Sequence, residues 1–150
     1  MNADNHLQTA LSFLPHGMEF RFVDRLTRLV AGQNGAGEYT VRGDEPFLRG
    51  HFPGEPIFPG VLLAEAAAQL AGVVAQSDPQ IPPLKNLKLT ALRNVKILGT
   101  ARPGEAIQLE AKITGRLGGL IQAQTTASVN GETVLQAELV LSGEVSGPVQ

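Results

Sequence analysis

The rhythm of apolar and polar positions changes three times along this chain. Leu7 to Leu14 predicts a short helix, stopped by Pro15. Phe20, Phe22 and Val23, with Arg21 and Asp24 between them, predict a strand over Phe20–Leu29. Gly32-Gln33-Asn34-Gly35 predicts a turn and Gly37–Val41 a second strand. Asp44 to Pro59 has no period, holds Pro46, Pro53, Pro56 and Pro59, and predicts a loop. A long apolar helix follows over Pro59–Gln76. Pro59 suits its first position, where a missing N–H costs nothing. Asp78-Pro79 ends it and Pro82-Pro83 bars continuation. From there the period is two residues. Leu84–Leu92 alternates in part, and Ala106–Thr114 puts Ile107, Leu109, Ala111 and Ile113 on one face. Gly118-Gly119 turns the chain into Ile121–Val129, the hairpin pair Asn130-Gly131 follows, and Thr133–Leu141 closes the sheet. The Gly-, Ser- and Pro-containing tail from Gly143 is expected to fray.

Two strands, one apolar helix and four more strands make an α+β chain. A helix apolar nearly all round must be covered on most sides. The economical solution is a curved antiparallel sheet wrapped around it, the hotdog fold; a helix on one face of an open sheet is the alternative. With 150 residues, one domain over 1–150 is expected. Charged residues are 17% of the chain and the net charge is -2, which favours neither nucleic acid nor a membrane surface as partner. Cysteine is absent, so disulfides and thiolate chemistry are excluded. His6, His16 and His51 are too scattered to suggest a metal site. Met1-Asn2-Ala3-Asp4-Asn5 lacks a secretory pattern, and Glu65 and Gln69 interrupt the longest apolar run, so a cytoplasmic protein is expected.

The chemistry concentrates in Gly50-His51-Phe52-Pro53-Gly54-Glu55-Pro56-Ile57-Phe58-Pro59-Gly60-Val61-Leu62-Leu63-Ala64-Glu65. Proline fixes φ and glycine permits unusual φ, so this loop is built for one shape. A histidine held there is suited to moving protons at neutral pH. Glu65, a lone carboxylate in an apolar helix, needs a partner or a task. The bland reading makes Glu65, Gln69, Gly72 and Gln76 one solvated stripe at helical spacing. Gly60 stands where helix amides lack intrahelical acceptors and can polarise a carbonyl oxygen, or it merely opens a crowded helix. His16, in Pro15-His16-Gly17, reads as structural.

The chain resembles the 3-hydroxyacyl-acyl-carrier-protein dehydratases of bacterial type II fatty acid synthesis. The resemblance is carried by Leu14-Pro15-His16, Phe20, Val23-Asp24-Arg25, Gly50-His51-Phe52-Pro53-Gly54, Pro56, Pro59-Gly60-Val61, Glu65-Ala66, Ala68-Gln69 and Arg102-Pro103-Gly104-Glu105. It runs from about Leu14 to Leu141, and the block from His51 to Glu65 is its specific part. The sister dehydratase-isomerases carry an aspartate in place of Glu65. The resemblance implies that His51 is the general base and that Glu65, from the other subunit, protonates the departing hydroxyl. Gln69 would orient that acid and Gly60 would polarise the thioester. It further implies chemistry without a cofactor, a homodimer, and three such dimers in a hexamer.

Lys85, Lys88, Arg93, Lys96 and Arg102 occupy a stretch from Pro79 to Gly104 without a single acid. They read either as a guarded sheet edge or, chiefly through Arg93, Lys96 and Arg102, as a docking patch for acidic carrier protein. Two places depart from the family pattern. Met18 replaces a tyrosine, and Ile97-Leu98-Gly99-Thr100 replaces Phe-Arg-x-Pro. Both bear on acyl substrate and carrier rather than on the proton-transfer pair. A hotdog thioesterase, or a non-catalytic acyl or carrier-protein binding module, are the competing readings.

Overall fold

The computed structural model describes residues 3–12, 14–50, 54 and 56–145. In chain order the elements are α1 (Ala3–Leu11), a 3₁₀ turn (Met18–Phe20), β1 (Arg25–Val30), β2 (Asn34–Thr40), α2 (Pro46–Gly50) and α3 (Gly60–Gln76). β3 (Lys85–Ile97), β4 (Ala106–Leu117), β5 (Leu120–Val129) and β6 (Glu132–Glu144) follow. The strands form one sheet in the order β1-β2-β4-β5-β6-β3, antiparallel throughout.

The sheet wraps α3, which contacts β2, β3, β4, β5 and β6. Contact with five of six strands decides for the hotdog arrangement over an open sheet. The approach is close because both surfaces are small. α3 contributes Ala64, Ala66, Ala67, Ala68, Ala71 and Ala75. On β2, a Cβ at Gly35 would come within 2.7 Å of Val74 Cγ2. The facing positions alternate as predicted: Ile107, Leu109 and Ala111 on β4, Ile121 and Ala123 on β5, and Leu139 and Leu141 on β6 are buried. Thr125 is buried among them, and its hydroxyl donates to Ala137 O at 2.9 Å. Asn130 and Gly131 both have positive φ (52° and 81°), the backbone that a two-residue hairpin turn demands.

The C-terminal end of α3 is closed by its neighbours. Gly32 N–H and the Ser77 hydroxyl both donate to Val74 O (3.1 and 2.6 Å), and Arg116 Nη1 donates to Ala75 O at 2.9 Å. Carbonyls that a helix leaves unpaired are thereby satisfied.

Several boundaries differ from the expectation. The residues expected to open the first strand form the 3₁₀ turn and an extended link; β1 begins at Arg25, where pairing with Glu38 starts. β2 starts earlier, at Asn34. The 44–59 loop contains the short helix α2. β3 runs on to Ile97, because it bends rather than ends. Asn86 and Asn94 take positive φ (54° and 50°), and its register against β6 shifts three times. Asparagine tolerates that conformation better than most residues. These bulges scramble the two-residue period that would have marked the strand. β6 extends through Gly143 to Glu144, so the start of the expected tail is strand.

Candidate active site

Glu65 lies in the second turn of α3 and faces the segment that precedes β1. Its Oε2 accepts a hydrogen bond from Gln69 Nε2 at 3.1 Å and stands 3.6 Å from His16 Nε2. Gln69, one turn later, is 2% exposed, and every end of its amide is committed. Oε1 accepts the Phe22 N–H at 2.8 Å, while Nε2 also donates to Phe20 O at 2.8 Å. The amide is thus a brace between α3 and the 14–22 segment. Its nitrogen end holds Glu65 Oε2 as an acceptor and leaves Oε1 free of that bond.

The stripe Glu65, Gln69, Gly72 and Gln76 is not an open solvated face: Gln69 is buried and the other three are half-buried. It forms one wall of a cleft of about 610 Å³, faced by Leu84, Leu87 and Leu89 of the β3 side and by Leu141 of β6. Leu14, Pro15 and His16 close the end beside Glu65. The cleft is a mostly apolar channel with a carboxylate at its head. His16, read in the sequence as structural, is therefore part of the site's wall. Its Nδ1 is buried without a hydrogen-bond partner. Proline and glycine flank it in Pro15-His16-Gly17, and that rigid setting was the one signal available.

His51 lies outside the described residues, as do Phe52, Pro53 and Glu55. The segments leading to and from it are firmly held. Phe22, Tyr39, Phe47 and Phe58 pack ring to ring with centroids 5.5–5.8 Å apart. Phe58 N–H donates to Ala101 O at 2.8 Å. Glu45, just before α2, is buried and accepts from Tyr39 OH (2.7 Å), Arg42 N–H (3.0 Å) and Gly43 N–H (2.6 Å). Burial works to raise its carboxyl, but the phenol and the backbone amides outweigh it and hold the group below its ordinary value. Burial first, and then the bond to Glu45, pushes the Tyr39 phenol up. The sequence reading missed Glu45, whose one signal is an acid next to the helix-opening Pro46.

Gly60 begins α3, where Leu62 N–H and Leu63 N–H already turn back to Pro59 O (2.9 and 3.3 Å). The amides of Gly60 and Val61 come before this turn closes. A Cβ at Gly60 would lie 3.0 Å from the Ile97 side chain, which would have to give by a few tenths of an ångström, so glycine is the residue that fits this close approach without adjustment. Gly60 does not line the cleft that Glu65 heads. Within one chain the two are separate.

Arg93, Lys96 and Arg102 are all exposed. Arg93 sits opposite Glu138 across the β3–β6 pair, and Arg102 N–H donates to Glu105 Oε1 at 2.7 Å. Lys96 and Arg102 adjoin Ile97 and Ala101, the residues that touch Gly60 and Phe58. This places both cations beside the entry into α3. Among the described residues, no group of three or more His, Cys, Asp or Glu is placed to hold a metal ion, and no helix is long and apolar enough to cross a membrane.

A helix wrapped by an antiparallel sheet, with an acid heading an apolar cleft along that helix, defines a hotdog-fold protein. The chain belongs to the FabA-like domain family, which it matches over residues 14–138. It is 34% identical over 136 residues to the 3-hydroxyacyl-acyl-carrier-protein dehydratase FabZ of Chloroflexus aggregans, covering 91% of this chain and 94% of that protein. With the FabZ dehydratase of Geobacter metallireducens the identity is 38% over 131 residues, covering 86% and 87%. Among solved structures, the dehydratase heterocomplex ApeI:P from Xenorhabdus doucetiae is similar, with a TM-score of 0.75 at 15% identity over 89% of this chain and 90% of that one. Zebra fish thioesterase superfamily member 2 gives a TM-score of 0.64 at 15% identity with the same coverages. At such identities the likeness concerns the fold alone, and this fold carries more than one reaction.

Proposed function

We propose that this protein is a hydro-lyase that removes water from a 3-hydroxyacyl thioester on acyl carrier protein, giving the trans-2-enoyl thioester, in fatty acid biosynthesis. The observation that carries the reading is Glu65, held by the buried Gln69 at the head of the apolar cleft. An acyl chain lying in that cleft brings its 3-hydroxyl to the carboxyl.

His51 takes the proton from C2, and the C2–H electron pair moves toward the thioester as enolate character develops. The Gly60 amide, at the positive end of the helix dipole, stabilises the charge on the thioester oxygen. The pair then forms the C2–C3 double bond as the C3–O bond breaks. Glu65 gives its proton to the departing oxygen, which leaves as water. Afterwards His51 holds one proton more and Glu65 one fewer, and exchange with solvent restores both.

The separation of Gly60 from Glu65 within one chain supports a site shared between two, in which His51 and Gly60 of one subunit meet Glu65 of the other. β3 supports the same reading. It is an edge strand with Leu92, Val95 and Ile97 exposed, and Leu98 exposed just beyond it, as expected of a surface that joins a second copy. We take the unit to be a homodimer of single-domain chains, with three dimers in a hexamer, working in the cytoplasm. Carrier protein docks on Arg93, Lys96 and Arg102.

The test uses a 3-hydroxybutyryl thioester on carrier protein, with enoyl absorbance followed against free thiol. Enoyl product without thiol is expected. His51→Ala and Glu65→Gln should each fold and lose turnover by ~10²–10⁴-fold or more. After subunit exchange, a mixture of the two inactive variants should recover part of the activity, since some mixed dimers rebuild one intact site. Thiol release without enoyl would refute the dehydration reading. Exchange without recovery would refute the shared site.

A further inference from the structure

We infer that His16 is a positioning residue for the proton transfer assigned to Glu65: its Nε2–H faces the carboxyl at Oε2 and holds it more strongly as charge grows there. The inference rests on the dehydration reading, in which Glu65 gives up a proton, and adds the group that meets the charge left behind.

Three observations carry it. First, the ring is aimed. Nε2 lies 3.6 Å from Glu65 Oε2, and the two side chains are only 29% and 23% exposed, so little water screens one from the other. Second, the ring is held. Phe20 stacks on it, with centroids 6.2 Å apart and planes 29° from parallel. The backbone is pinned on both sides of it. Arg21 Nη2 donates to Leu14 O at 3.3 Å, Phe20 N–H donates to Gly17 O at 3.0 Å, and Gln69 Nε2 donates to Phe20 O at 2.8 Å.

Third, the surroundings select one tautomer. Nδ1 is buried without a hydrogen-bond partner among the described residues. A proton there would make it a buried donor with no acceptor, which is costly. A bare Nε2 would turn its lone pair toward a carboxylate oxygen. Both objections vanish when the ring carries its one proton on Nε2. The N–H then faces Glu65.

At 3.6 Å this contact is too long for a hydrogen bond. That looseness suits the task. The Gln69 amide already bonds Oε2 at 3.1 Å and places the acid before reaction. A second donor standing slightly back adds little to the neutral acid. It gains as the carboxylate forms, because hydrogen bonds to ionised groups are shorter and roughly twice as strong. Only interactions that strengthen toward the transition state speed the chemical step. His16 and Glu65 belong to one chain, so the arrangement does not depend on a shared site.

The experiment measures kcat and KM of the full chain for a carrier-bound 3-hydroxyacyl thioester in two variants, each checked for folding by urea denaturation. His16→Phe keeps an aromatic ring against Phe20 and removes the N–H. His16→Gln gives up the ring and keeps an N–H donor near the position of Nε2. His16→Phe should lower kcat about tenfold or more and leave KM within about twofold. His16→Gln should lose several-fold less of kcat, although it disturbs the wall more. A residue that only lines the cleft predicts the reverse: phenylalanine as the milder change, with the loss in KM. If His16→Phe does not fold, His16→Leu supplies the variant without a donor. Parental kcat in the donor-free variant, a loss confined to KM, or glutamine no better than phenylalanine would each overturn the inference and leave the dehydration reading standing. A parent protein that forms no enoyl product would overturn the dehydration reading itself, and this inference with it.

Discussion

Replacing Gln69 by leucine tests the brace that holds Glu65. The substitution keeps most of the volume and removes both polar ends. Phe22 is 1% exposed, so its N–H would then face no acceptor and no water. Leaving such a donor unpaired costs about 1–3 kcal/mol. Phe20 is half-exposed, and its carbonyl can turn to solvent; losing that bond costs about 0.5–1.5 kcal/mol. Leucine in an already buried position recovers little of this. The expected loss is about 2–4 kcal/mol, a large part of the ~5–15 kcal/mol typical of a domain. Urea denaturation at one fixed protein concentration measures it, because subunit association contributes to the apparent stability. The same variant frees Glu65 Oε2 from its 3.1 Å donor, so turnover should fall about ten- to hundredfold in the fraction that remains folded. A variant within ~0.5 kcal/mol of the parent, the scale of a featureless surface change, and turning over at the parental rate, would refute the reasoning.

Glu45 gives a pH-dependent counterpart. Its carboxyl sits below the ordinary value of 4.5 in the folded protein, so its contribution is fully present above that value and is lost as pH falls through the lower folded one. Glu45→Gln should cost about 1.5–3 kcal/mol at pH 7 and flatten the acid side of the stability profile; a profile parallel to the parent's would exclude Glu45 as its source. Reversing Arg93, Lys96 and Arg102 to glutamate should raise KM for carrier-bound substrate about tenfold, by roughly 1.4 kcal/mol of lost binding, and weaken its dependence on salt. A small soluble thioester should be turned over nearly as before, and equal damage to both substrates would place these residues in the fold instead.

The reading of the sequence succeeded where one physical demand dominates. The strands β4 to β6 were legible because each lays one face on α3, which enforces alternation along most of each strand, broken in β6 at Val134-Leu135. α3 was legible because it is apolar on almost every side and bounded by proline. β3 was read short because bulges at Asn86 and Asn94 break its period, and beyond Asn94 most of its side chains are exposed although it still pairs with β6 and Ile97 lies against Gly60. Its apolar residues no longer keep a face. Glu65 and Gln69 stood out as polar residues in an apolar helix, yet the same spacing fits a solvated stripe. Only the position of β3 and β6 over that face decides between cleft and surface. The place of His16 beside Glu65, and Glu45 altogether, escaped the sequence for a common reason. Each acts through a partner distant in the chain or through backbone amides, and neither arrangement leaves a periodic trace.

The connectivity of the sheet also shapes how the chain comes to fold. β3 leaves the ribosome directly after α3, but the strand it pairs with is β6: Lys85 lies against Glu144 and Ile97 against Leu135. Until β6 is made, β3 has no neighbour, and the alanine-rich surface of α3 lacks a large part of its cover. Early, local closure is limited to β1 with β2 and the later hairpins β4–β5 and β5–β6. The step that encloses the helix joins segments far apart in sequence, which places it among the slower topologies. An unfinished chain carries an exposed apolar helix and an unpaired strand at the same time, the combination most prone to wrong association during synthesis. The cleft, walled by α3 on one side and by β3 and β6 on the other, is therefore among the last features of the molecule to exist.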